Sequence, residues 1–177
     1  PTVSNVTIAQ STNTYLKEGD KLNITLDFSP DIANKVLNIS NSPTIELSLD
    51  NDVTRDAIFT SSNGMNAVFE YTVQSGDNTS QLNYVDVDSL KLSGGTIKDN
   101  YGNDASLNLI ATNSASNDFH TKTIIVDTIS PAQGTIDVSG HTNLRALPVT
   151  IQGFTDANNN NTVWLPVSYT HLRAHET

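Results

Sequence analysis

At 177 residues the chain is long enough for one sizeable domain, or one domain and part of another. Its net charge of −10, from 9 lysines and arginines against 19 aspartates and glutamates, argues against a nucleic-acid binder, whose affinity rests on cationic contacts to phosphate. With no cysteine there are no disulfides or thiolate metal sites, and no run approaches the roughly 18 apolar residues of a membrane-spanning helix.

The chain opens on Pro1, without a starting methionine or a signal peptide, and goes straight into a strand-like pattern. It reads as a piece of a longer protein whose targeting signals lie elsewhere. An exported domain without disulfides needs another staple, and bound calcium is one candidate. A weak strand signal at Val6 to Ile8 comes first. Leu22, Ile24, Leu26 and Phe28 then alternate with Asn23, Thr25, Asp27 and Ser29, the period-two pattern of a strand that buries one face. Ile45, Leu47 and Leu49 repeat it, as do Phe69, Tyr71 and Val73. Weaker runs lie at Ala57 to Phe59, Leu90 to Leu92, Leu107 to Leu109 and Ile124 to Val126. Gly, Asn, Asp, Ser and Pro clusters separate them, and no window sustains a period of 3.6. The expected fold is all-β, a Greek-key sandwich of two packed sheets in preference to a closed barrel.

A boundary is expected at "IIVDTISPAQGTIDVSG". One β run ends at Asp127, Pro131 stops any ladder, and a new alternation starts at Ile136 and Val138. Pro1 and Thr12-Asn13 recur as Pro131 and Thr142-Asn143, which suggests a second unit over 131–166 that is too short to close a core. The tail 167–177, "VSYTHLRAHET", turns abruptly His/Arg-rich and resembles a translated sequencing-adaptor remnant found at the broken ends of metagenomic gene models. His171, His175 and Glu176 stand there at metal-like spacing, but their order does not match His-Glu-x-x-His.

The stretch "SLKLSGGTIKDNYGNDASL" (89–107) invites three readings: a phosphate loop, a cation loop, or a corner. A phosphate loop needs Gly-Lys-Ser/Thr opening a helix, whereas Gly94-Gly95 leads into Thr96-Ile97 and more strand pattern. An EF-hand needs acids at alternate positions and a distant Glu, which Asp99 and Asp104 do not supply. The expectation is a bend at Gly94-Gly95 and a turn at Asn100 to Asn103, with calcium as the second reading.

"YLKEGDKLNITLDFS", "YTVQSGDNTSQLNY", "SLKLSGGTIKDNYGNDASL" and "IIVDTISP" occur in this order. Together they resemble the bacterial immunoglobulin-like repeats of very large surface and secreted adhesins, over about residues 1–131. The resemblance implies a non-catalytic extender: an extracellular or cell-surface monomer whose partners are neighbouring repeats of the same chain, stiffened in several such families by Ca2+ at the junctions. The second unit departs from the pattern, because it lacks a match to "KEGD". In a seven-strand sandwich, the loops carrying Glu18 and Asp20, Asp50 and Asp52, Asp77, and Asp127 are expected at one end, where they would offer calcium its oxygens. Asp99, Asn100, Asn103 and Asp104 are expected at the opposite end.

For an enzyme, only His120 and His141 lie outside the tail, and nothing like Gly-x-Ser-x-Gly occurs. The rival to the extender is a carbohydrate-binding sandwich module using Tyr15, Tyr84 and Tyr101. Tyr84 equally fits a buried strand position.

Overall fold

The computed structural model describes residues 1–30, 34–130, 135–137 and 150–152. Two compact units divide the chain, Pro1–Thr128 and Ile129–Thr177. In the second, β13 (Thr135–Asp137) pairs antiparallel with β14 (Thr150–Gln152). The rest of the expected 131–166 repeat, with Pro131, His141 and Trp164, lies outside the described residues, as does the tail with His171, His175 and Glu176.

The first unit is all-β. Its strands are β1 (Thr2–Ile8), β2 (Thr14–Leu16), β3 (Lys21–Ser29), β4 (Leu37–Ser40), β5 (Thr44–Ser48), β6 (Thr54–Asn63), β7 (Asn66–Thr72), β8 (Asn78–Thr79), β9 (Asn83–Tyr84), β10 (Leu90–Lys91), β11 (Thr96–Asp99) and β12 (Ile124–Asp127). A large antiparallel sheet runs β1-β3-β7-β6-β5-β10, with β9 also on β5. Two smaller sheets accompany it, β11-β4 and β2-β12-β8, and within the latter β2 and β12 are parallel.

Period two explains the burial. Leu22, Ile24 and Leu26 are fully buried and stand opposite Tyr71, Phe69 and Ala67, while Asn23 and Thr25 face outward. A one-residue slip of β3 would send that whole row to solvent, so the apolar pattern fixes the register. Leu16 of β2, Leu37 of β4, Ile97 of β11 and Val126 of β12 belong to the same hydrophobic cluster as the large sheet. Phe69 meets Phe59 edge-on, and Tyr84 meets Phe119 likewise.

The expected strand at Leu107 to Leu109 does not form. Leu109 is buried and its N–H bonds the Val87 carbonyl, yet the segment finds no continuous ladder. Here alternation reflects packing alone. One short helix, α1 (Asp118–Thr121), was not foreshadowed by any 3.6 period; at four residues it is too short to show one. The Asn117 side chain caps it by accepting from Phe119 N–H at 3.1 Å.

Register also fixes where the unit begins and ends. Thr2 lies opposite Ser29, at the far end of β3, whereas Lys21 at its near end lies opposite Thr72. The turn following β7 bonds Thr128. The chain therefore enters at one end of the sheet and leaves at the other. The nine residues of β3 between them span about 30 Å at ~3.4 Å per residue.

Candidate functional site

At the exit end the loops carrying Glu18 and Asp20, Asp77, and Asp127 adjoin. Gly19 N–H bonds the Val73 carbonyl, Val73 N–H bonds the Asp20 carbonyl, and Asp127 pairs with Asn78. Their side chains do different things. Glu18 is exposed. Asp20 accepts from Lys17 N–H at 2.9 Å and so closes its own tight turn. Asp50 and Asp52 are exposed on a 3-10 turn between β5 and β6.

Asp77 is fully buried. Its Oδ2 accepts from the Tyr71 hydroxyl at 2.6 Å and from Gln74 N–H at 2.9 Å. Arg55 Nη2 stands 2.8 Å from Oδ1 in a charge contact whose angles fall short of a hydrogen bond. Burial first, then the bond to Asp77, pushes the Tyr71 hydroxyl far above its ordinary ionisation range. The arrangement follows from alternation on β6, where Arg55, Ala57 and Phe59 share the core-facing side. A cation there needs a buried counter-charge, and Asp77 supplies it.

Thr128 completes this end. Its N–H donates to Asn78 Oδ1 at 3.0 Å, its hydroxyl donates to the Asp77 carbonyl at 3.1 Å, and its Oγ1 accepts from Gly76 N–H at 3.1 Å.

Asp99 and Asp104 lie at the entrance end, where Ser106 N–H bonds the Pro1 carbonyl. They part company: Asp99 is buried, and Asp104 is exposed and paired with Lys98 at 2.8 Å. Adjacent residues on a strand face opposite ways, so Lys98 points out and Asp99 in. Asp99 Oδ1 accepts from Tyr101 N–H and Asn103 N–H, at 3.0 and 2.9 Å. Oδ2 takes the Asn103 amide at 3.0 Å and stands 3.1 Å from the buried Lys35 ammonium. The Asn103 amide does most to hold the Asp99 carboxyl far below the usual range, helped by these N–H groups and Lys35 against the opposing effect of burial.

The stretch 89–107 therefore turns corners. Ser93 and Gly94 both take positive φ, and a Cβ on Gly95 would collide with the Ser40 carbonyl oxygen. Asn100 ties the second corner to the β3–β4 connection, donating from its backbone to the Val36 carbonyl and from its side chain to the Asn34 carbonyl.

Asp77 and Asp99 are engaged by protein donors, and among the described residues no three His, Asp or Glu side chains form a metal-binding group. Of the tyrosines, Tyr84 is core, donating to the Ile110 carbonyl, and burial pushes its hydroxyl up to about 12. Tyr15 and Tyr101 are exposed on separate elements. A shallow groove of about 480 Å³ is lined by Leu37, Ile39, Ser40, Thr96, Asn100 and Gly102, among others. His120 is exposed on α1.

No family model, no curated protein and no solved structure matches the chain. Sequence reasoning named Asp77 and Asp99, with Asn103 beside the latter, but missed Arg55, Lys35 and Thr128 as partners. Arg55 was findable, as a cation in phase with Ala57 and Phe59. Lys35 and Thr128, both in irregular segments, gave no periodic signal.

Proposed function

We propose that residues 1–128 are a non-catalytic spacer, one immunoglobulin-like unit of a tandem array in a large extracellular bacterial adhesin. The observation that carries this reading is the polarity of the unit: entrance and exit lie at opposite ends of one sheet. Units of this kind joined in series add their lengths, whereas a unit with adjacent termini adds little. The four ordered motifs support the adhesin assignment, and the second compact unit suits a tandem arrangement. The polar ties at Pro1 and Thr128 suit a unit held at both ends, and calcium at the junctions with neighbouring units would stiffen the array further.

Single-molecule extension tests this. The chain has no cysteine, so Thr2→Cys and Ser130→Cys give unique handles. The expected trace is one cooperative step releasing about 400 Å, given at most ~3.3–3.6 Å per extended residue. Gradual lengthening at low tension would refute a spacer role.

A carbohydrate-binding module is the second reading, favoured by exposed Tyr101, whose chain neighbours Asn100 and Gly102 help to line a groove of mixed polar and apolar character. Binding to a polysaccharide panel that is lost on Tyr101→Ala would establish it. No binding across the panel would remove it.

A further inference from the structure

The exit strand is the shorter of the two terminal strands, four residues against seven. β1 is held to β3 over six residue pairs, but β12 has only three pairs with β2 and two with β8. Tension entering at the exit meets Thr128 before it reaches β12. Thr128 is bonded to Gly76, Asp77 and Asn78, and that turn is fixed by the buried Asp77 carboxylate on Tyr71 of β7 and Arg55 of β6. β7 and β6 are interior strands, each hydrogen-bonded on both sides.

We propose that Thr128, Asp77, Tyr71 and Arg55 form a tension anchor, which passes pull on the exit past the short β12 ladder into the middle of the large sheet. The inference rests on the spacer reading and names the residues that give it strength. Thr128 and Tyr71 act in series. If the Thr128 hydroxyl is lost, the exit loses its bonds to Gly76 and Asp77 and keeps at Thr128 only the backbone bond to Asn78. If the Tyr71 hydroxyl is lost, the turn is no longer fixed to β7, although Gln74 N–H still holds one oxygen of Asp77.

The test is the unfolding rate of the full chain at fixed tension in two pulling geometries. One pulls through Thr2→Cys and Ser130→Cys, along the exit. The other pulls through Thr2→Cys and Asn63→Cys, both at the entrance end, and bypasses it. Thr128→Val, which removes the two bonds of the hydroxyl, and Tyr71→Phe, which removes one bond to a charged acceptor, are each expected to raise the end-to-end rate at least about tenfold. In the bypass geometry the change should stay under about twofold for Thr128→Val, and for Tyr71→Phe it should be clearly smaller than end to end. Equal acceleration in both geometries would mean a general loss of stability and overturn the anchor, as would no acceleration in either. Should Tyr71→Phe fail to fold, Thr128→Val decides alone. If the unsubstituted chain yields as readily end to end as in the bypass geometry, the spacer reading falls and the anchor with it. A resistant chain with unaffected variants sinks the anchor only.

Discussion

Removing the Asp77 carboxylate is the most informative perturbation of the fold. Asp77→Ala strips the acceptor from the Tyr71 hydroxyl and Gln74 N–H and the counter-charge from Arg55. Breaking a buried pair by deleting one partner costs about 3–5 kcal/mol. The Arg55 side chain is 27% exposed, so water recovers part of its charge and the lower end of that range applies. Tyr71→Phe keeps the ring and removes one hydrogen bond to a charged acceptor, a loss of about 1.5–3 kcal/mol. The assay is urea unfolding followed by circular dichroism. With an m-value of about 2 kcal/mol/M, the midpoint should fall by about 1.5 M for Asp77→Ala and about 1 M for Tyr71→Phe. The order matters more than the sizes. A cost below about 1 kcal/mol for Asp77→Ala, or a larger one for Tyr71→Phe, would mean that the carboxylate is solvated and does not hold the turn.

Other outcomes follow from the same structure. Asp99 has a folded ionisation below its unfolded one, so its stabilisation is present above about pH 4 and is lost as pH falls toward the folded value. Melts from neutral pH downward should show a steep loss that Asp99→Asn flattens; parallel profiles would show that Asp99 contributes nothing. Gly95→Ala must displace the Ser40 carbonyl and should lower the melting temperature by several degrees, whereas Ser93→Gly, at a positive φ, should leave it unchanged or raise it. Melts in chelator and in millimolar calcium test the ion, because ligand binding to the folded state alone raises the midpoint, and coincident melts would remove calcium from the loop acids. A clear upward shift specific to calcium would show that the loop acids bind it.

The sequence alone determined the strands that carry the core. At Leu22 to Phe28 and Phe69 to Val73, alternation has only one register that buries every apolar side chain, so local pattern and tertiary structure agree. The corners at Gly94-Gly95 and Asn100 to Asn103 were legible for a similar reason, since few residues tolerate such backbone angles. The two-residue strand β8 was beyond it: a pair of residues has no period, and only the neighbour that it meets makes it a strand, whereas β10 was foreshadowed by the run at Leu90 to Leu92. The roles of the acids were also decided in three dimensions. Asp77 and Asp20 look alike in "QSGD" and "KEGD", yet one faces inward to Arg55 and the other closes an exposed turn. Charge is written in the sequence. Whether a carboxylate binds a cation from solution or a cation of its own chain depends on what the fold brings within about 3 Å of it.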